Sequence, residues 1–519
     1  MFEYLRRLAT TGAAYTASSV LSKLVAVVLL PVYTAYLSPA DYGAAEVMLA
    51  SLVAASILIR FGLIEALLRF YYLAGEDPRQ VVATGFAALF WLATAGAVVG
   101  LVLAEPISEA LLDRPDAELA RLAVLGLWVL TLWEYVLTLL RLDELARAYF
   151  SLTVLNVIAT IPVTVWLVVV EDQGAAGILL GSFGTGALFL AWRLWRERRR
   201  LSLFPDRALL RRMVRFGLPT MPAELSLYSL NFIDRILIVR LAGLAEAGLY
   251  ALAIKFAQGM NVLARGFQLA FPPLAYSIAD DDEARRAYSL IVTWFAAVCA
   301  FFVAGLWLLS RWIVDLLAAP EYFEAHEAIG LLATGIALYS LYLVLVVVLG
   351  RTGRTQFNLP ATIAGTAVNV VLNLVLIPPL GIVGAGIALV ASYAIVLVLM
   401  YALTQRLFPV PYEWGRLALL VAVTAVTVTA GEFLLPTEGL AGLASRTVLW
   451  LVLPALLLAT GFFTAAERRR LRAMLSPSAV RARLAALSAG KPEREPESEL
   501  AAGYAPEVYE AVGRDEDRL

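Results

Sequence analysis

Arg60, Glu65 and Arg69 lie in one apolar stretch, LIRFGLIEALLRFYY, residues 58–72. An ionised side chain is costly in hydrocarbon, so each must be paired, reach the interface or serve a function. Glu65 and Arg69 stand four apart in the order that favours a helical ion pair. That spacing predicts a self-satisfied pair near one membrane face, with Glu65 the lesser candidate for proton coupling. Arg60 is about 140° from Glu65 around a helix, so the two do not meet. A guanidinium gives paired hydrogen bonds to phosphate and keeps its charge when partly desolvated. Arg60 is therefore the leading candidate to bind an anionic ligand.

Other charges interrupt other apolar runs: Lys23, Glu46, Glu134, Glu224, Asp234, Lys255 and Arg265. Counting outward from the turn near residues 244–245 sets Glu224 opposite Arg265 and Asp234 opposite Lys255. In the first lobe, counting from the turn near residue 40 sets the neutral Ser19 opposite Arg60, so Arg265 is expected to be partly neutralised and Arg60 not. Lys23, Arg60 and Lys255 then form a cationic ladder, with Glu224 and Asp234 as counter-charges or ion-coupling groups. Glu46 and Glu134 are open between ion coupling and bonding a sugar. Asn231, Asn261, Gln268, Asn369 and Asn373 could bond ligand hydroxyls or each other across helices. One cysteine, Cys299, and one histidine, His326, exclude an intrachain disulfide and argue against a His/Cys metal site.

These charges need elements to hold them in a membrane. The chain has 519 residues, 61% hydrophobic and 16% charged, with mean hydropathy +0.79. Soluble domains are nearer half apolar and a quarter charged. Scanning for runs of about 20 apolar residues gives about fourteen candidate spans between residues 10 and 465, so an all-α integral membrane protein is expected. Arginines gather in alternate loops, above all in RLWRERRRLSLFPDRALLRRMVR (193–215). By the positive-inside rule both termini are cytoplasmic. The outside loops are short, which argues against a membrane glycosyltransferase. The tail, 467–519, is basic and then acidic and Pro/Glu-rich, and reads as a solvated, disordered cytoplasmic segment.

Sliding the chain against itself by about 205 residues aligns Gly12 with Gly217, Gly43 with Gly248, Arg60 with Arg265 and Tyr71 with Tyr276. The near-constant offset predicts a six-helix lobe over 1–200 and a second over 201–410. With six helices each, the lobes share an orientation and are related by a pseudo-two-fold along the membrane normal. Two further helices, 411–466, fall outside the repeat.

NVVLNLVLIPPLGIVGAG (369–386), LSPADYG (37–43) and the stretch 216–256 containing LNFIDR resemble the Wzx-type polysaccharide and O-antigen flippases. These belong to the multidrug/oligosaccharidyl-lipid/polysaccharide exporter superfamily. The resemblance covers the first twelve spans. It implies two lobes around a cationic cavity in a bacterial cytoplasmic membrane. It implies a transporter, not an enzyme, that moves an undecaprenyl-pyrophosphate-linked oligosaccharide to the outer leaflet by alternating access, with an ion gradient as the proposed drive. Arg60, Arg265, Lys23 and Lys255 would then receive the pyrophosphate. The implied partners are that lipid-linked oligosaccharide, membrane lipids, and a polysaccharide polymerase with its glycosyltransferases. No nucleic acid, no cofactor and a monomeric chain are expected, and no G-x-x-x-x-G-K-[ST] stretch is present. A lipid II flippase and a cation-coupled multidrug exporter share the architecture. Cationic lumen residues disfavour the exporter.

Overall fold

The computed structural model describes residues 29–73, 75–229, 232–354, 358–465 and 467–469. Every regular element among them is helical. Packing divides the chain into two compact units, Met1–Leu453 and Pro454–Leu519.

In the first unit, helix α1 (Leu30–Tyr36) closes the first apolar run. Ser38 caps helix α2 (Pro39–Arg60), its hydroxyl accepting from the Asp41 amide at 3.2 Å with Pro39 in the first turn. α2 stops where Phe61 (φ 49°) and Gly62 (φ 67°) turn left-handed. The chain restarts as α3 (Leu63–Phe70). Gly62 is needed there twice over: its φ suits glycine, and a Cβ would overlap the Gly217 carbonyl oxygen. Next come α4 (Pro78–Val102), α5 (Ala104–Leu112) and α6 (Ala117–Leu142), the first and last capped by Asp77 and Asp116. α7 (Ala146–Val165) runs into a π turn at Trp166–Val170, and α8 (Gly174–Glu197) follows.

The linker helix α9 (Arg207–Gly217) is amphipathic. Leu209 and Met213 pack into a cluster with Leu63, Leu67, Val81 and Tyr135, while Arg211, Arg212 and Arg215 stay exposed. Pro219 sits in a short 3-10 turn that separates α9 from α10 (Met221–Ser229). Then come α11 (Ile233–Ala242), α12 (Leu244–Ala257), α13 (Met260–Ser277), α14 (Asp281–Leu317) and α15 (His326–Arg351). The long α16 (Asn358–Leu407) is two helical arms joined at Gly381, whose φ of 52° and ψ of −133° break the helix just after Pro378 and Pro379. α17 (Trp414–Leu434) and α18 (Gly439–Ala459) complete the series.

Ten helices among the described residues are, by length and composition, able to cross a membrane, and the difference from the roughly fourteen expected runs lies at four places. Most of the first expected run, residues 10–28 of 10–36, lies outside the described residues. The seventh and eighth runs are broken near Pro219 and Gln258 into pieces too short to qualify, and the eleventh and twelfth run together through Gly381.

α2 and α12 cross at Gly43 and Gly248, the pair aligned by the 205-residue shift. A Cβ on Gly43 would overlap the Leu244 carbonyl oxygen, and one on Gly248 the Pro39 carbonyl oxygen. Small residues of this kind let two backbones touch in a membrane. In the second unit, Glu467 accepts hydrogen bonds from the Thr464 amide (2.7 Å) and hydroxyl (2.8 Å). The reading of the tail beyond residue 469 lies outside the described residues, as do Lys23, Ser19 and Asn231.

Candidate functional site

A cavity of about 720 Å³ opens where α2, α6, α10, α11, α12, α13, α15 and α16 converge. Its charged lining is Arg60, Arg235 and Arg265 against Glu134 and Glu224. The rest is aromatic or amide: Tyr228, Tyr339, Tyr393, Gln258, Asn261 and Gln268, over an aliphatic floor that includes Val53 and Ile336. Arg60 and Arg265, aligned in the sequence, face the same space.

The pairing differs from the sequence expectation. Arg60, 8% exposed, is not free. It ends α2, and its Nε donates to the Ser56 carbonyl at 3.2 Å. One Nη donates to Glu134 and the other to Glu224 at 2.9 Å. Hairpin counting gave Glu224 to Arg265, but the break at Pro219 displaces α10 from the register that count assumes. It turns Glu224 toward the end of α2 instead. Arg265 is exposed, and no carboxylate lies within 4 Å of it among the described residues. The neutralised arginine and the free one have changed places.

Lys255 does not meet Asp234. Its ammonium bonds Glu46 and donates to the Tyr42 hydroxyl at 2.6 Å, and it lies 4.9 Å from the centre of that ring. Arg235 joins the same carboxylate at 3.6 Å and donates to the Glu46 carbonyl at 3.2 Å. Glu46 is thus gripped by two cations from α11 and α12. Arg235 was not weighed from sequence, although it sits in the quoted LNFIDR. Intramembrane charge alone would have marked it.

Asp234, 1% exposed, has no cation within 4 Å among the described residues. Its carboxylate accepts from the Tyr250 hydroxyl at 3.1 Å and the Asn373 amide at 2.7 Å. Asn373 also donates to the Asn369 carbonyl oxygen at 3.0 Å. Among the described residues, the Asn369 amide nitrogen and the Asn373 carbonyl oxygen are buried with no partner within hydrogen-bond geometry. These asparagines, 1% and 0% exposed, therefore surround a carboxylate and do not line the cavity, whereas Asn261 and Gln268 do.

Glu65 and Arg69 form no ion pair among the described residues. Arg69 lies over the Phe216 ring at 4.3 Å, and half-buried Glu65 is not part of the cavity wall. The left-handed break at Phe61–Gly62 reorients α3, so α9 packs beneath it and presents Phe216 to Arg69. Cys299 is buried as a free thiol, and His326 Nδ1 lies 2.6 Å from the Phe323 carbonyl. No group of three His, Cys, Asp or Glu that could hold a metal occurs among the described residues.

The model of a family described as polysaccharide biosynthesis protein matches residues 32–327, more than half of the chain. An uncharacterized membrane protein of Methanocaldococcus jannaschii is 29% identical over 144 residues, 28% of this chain and 26% of that protein. The match thus spans about a quarter of that relative's length. Among solved structures, the lipid II flippase MurJ in an inward-closed conformation superposes with TM-score 0.69 at 11% identity, over 86% of this chain and 98% of that one. An inward-facing multidrug resistance MATE family transporter of the MOP superfamily superposes with TM-score 0.61 at 16% identity, over 77% of this chain and 96% of that one. These likenesses define the fold: an all-helical, multi-pass membrane protein of the MurJ and MATE type.

Proposed function

The chain belongs to the polysaccharide biosynthesis protein family, and we propose that it is a flippase for an undecaprenyl-pyrophosphate-linked oligosaccharide, moving it from the cytoplasmic to the outer leaflet. The observation that carries this reading is the cavity in which Arg265 stands with no carboxylate within 4 Å among the described residues. An anionic headgroup entering there meets one guanidinium ready to bind and a second, Arg60, held by Glu134 and Glu224. Phosphate oxygens make the same paired bonds to arginine as a carboxylate does, so a pyrophosphate can compete for Arg60. Tyr339, Tyr393 and the amides of Gln258, Asn261 and Gln268 are suited to sugar faces and hydroxyls. A cationic drug would find no unpaired carboxylate among the described lining residues, which favours the lipid-linked sugar over an exporter.

In this reading the lobes alternate by exchanging ion pairs. Glu224 on α10 reaches Arg60 on α2, and Lys255 and Arg235 reach Glu46, so each network joins residues before position 200 to residues after it. Displacing Glu224 with a phosphate weakens one tie and frees the halves to rock. Asp234, with Tyr250, Asn369 and Asn373, is the candidate for the coupling ion or proton. An ionisable group buried in a membrane without a counter-charge is where such coupling is placed. Proposed with it are N- and C-termini in the cytoplasm, and partnership with the polymerase and glycosyltransferases of one polysaccharide.

The test is complementation of a cell lacking its own flippase for a lipid-linked oligosaccharide, with lipid II accumulation followed in parallel. The wild-type chain should restore surface polysaccharide and Arg265→Gln should not. Restoration of peptidoglycan precursor export without surface polysaccharide would reassign the substrate to lipid II.

A further inference from the structure

Away from the central cavity, a second hollow of about 470 Å³ lies between α7 and α8, closed at one end by Leu140 of α6. It is polarised along its length. Ala148, Leu152, Leu155, Leu188 and Phe189 give it apolar walls, and Trp192, Arg193 and Arg196 stand at one end. Leu188 and Arg196 are eight residues apart on one helix, about 12 Å at the helical rise. The hollow therefore runs from an arginine-lined mouth to an apolar depth over roughly half a hydrocarbon leaflet.

The mouth has unspent binding capacity. Arg193 pairs with Glu197 at 2.7 Å, yet its Nε–H is buried with no partner among the described residues. Arg196 has no carboxylate within 4 Å among the described residues and lies 5.1 Å from the Trp192 ring centre. Ser151, exposed at the same mouth, adds a hydroxyl. A buried donor without an acceptor is costly, and a neighbouring uncompensated guanidinium calls for an anion. Tryptophan and arginine at this level mark the membrane–water interface. Basic pockets between helices at that interface take anionic lipid headgroups.

We propose that this hollow is a binding site for one anionic phospholipid, its headgroup phosphate on Arg193 Nε and Arg196 and an acyl chain along Leu155 and Leu188. The site shares no lining residue with the central cavity and does not depend on what is transported. Its effect on the fold is to fasten α7, which has few buried residues of its own, to α8.

The experiment reconstitutes the full chain in nanodiscs of equimolar phosphatidylglycerol and phosphatidylcholine, and measures the lipid retained after gentle delipidation by native mass spectrometry. Two variants accompany it: Arg196→Gln removes the exposed charge, and Ala148→Trp fills the hollow without altering charge. Thermal melting checks that both are folded. Wild type should retain one phosphatidylglycerol in preference to phosphatidylcholine; Arg196→Gln should lower that retention about fivefold, the weight of one interfacial basic residue, and Ala148→Trp should also lower it by taking the space of the acyl chain. Equal retention of the two lipids by wild type would overturn the proposal. So would loss in Arg196→Gln but not in Ala148→Trp, because the arginine would then attract lipid without a pocket. Full displacement by inorganic phosphate alone would also overturn it, leaving an ion site with no place for the chain.

Discussion

At the scale of residues, Arg60 and Arg265 carry opposite burdens. Arg60 separates two carboxylates from different helices, so Arg60→Gln leaves Glu134 and Glu224 facing each other with no cation. Both carboxylates are about a third exposed, 32% and 37%, so solvent screens part of the loss and the cost is about 1–3 kcal/mol. A marked fall in melting temperature is expected, and Arg60→Gln/Glu134→Gln/Glu224→Gln should recover most of it. A single variant that melts like wild type would contradict the triad. Asp234→Asn keeps the hydrogen-bonding shape of its cluster. It should leave melting nearly unchanged while transport loses its dependence on the ion gradient, which assays with and without an imposed gradient would reveal. That these charges sit inside apolar runs was legible in the sequence, because charge in an apolar run is conspicuous. Their pairing was not. A helix count assumes unbroken helices, and the left-handed turn at Phe61–Gly62 and the 3-10 turn at Pro219 shift the register on both sides of Arg60.

At the scale of elements, the crossing of α2 and α12 depends on two glycines meeting backbone to backbone. Gly248→Ala should destabilise by about 1–3 kcal/mol, since its methyl would press on a carbonyl oxygen that cannot swing aside. Gly184→Ala in α8 points into open space and should be neutral or mildly stabilising. Comparable melting losses for both would remove the crossing from the account. The linker after α8 is tied by Arg200, which donates to Asp143 at 2.6 and 3.0 Å, with the Tyr71 hydroxyl adding a third bond at 3.0 Å. Burial pushes the Asp143 carboxyl up, but the Arg200 and Tyr71 hydrogen bonds and the Arg200 charge outweigh it and hold the group below its ordinary value. A depressed folded value means that the stabilisation is present above the ordinary carboxylate range and is lost as pH falls through the folded value. Asp143→Asn should therefore cost about 1 kcal/mol at neutral pH and flatten the acid side of the melting profile. An unchanged acid limb would rule out that tie. Neither feature was visible in composition. Gly43 and Gly248 were aligned by the repeat, but alignment does not say that two positions touch, and Asp143 and Arg200 lie far apart in the chain.

At the scale of the whole molecule, an all-helical membrane protein followed from hydropathy, because a bilayer allows few other ways to satisfy a long apolar backbone. The breaks within individual spans did not. The runs interrupted at Pro219 and near Gln258 are continuous in hydropathy but divide into shorter helices, whereas the two runs that meet at Gly381 are two helical arms, as their separation in the sequence suggests. The proposed function joins fold and site: a cavity that would take a pyrophosphate-linked sugar, with Arg265 as the group proposed to receive it. The most direct measurement uses proteoliposomes carrying a fluorescently tagged undecaprenyl-pyrophosphate oligosaccharide in one leaflet, with its appearance in the other followed by a membrane-impermeant lectin. Wild type should translocate it, and Arg265→Gln, melting like wild type, should lose at least about tenfold in rate, the weight of one charge-assisted phosphate contact. An Arg265→Gln protein that translocates at the wild-type rate would contradict the account.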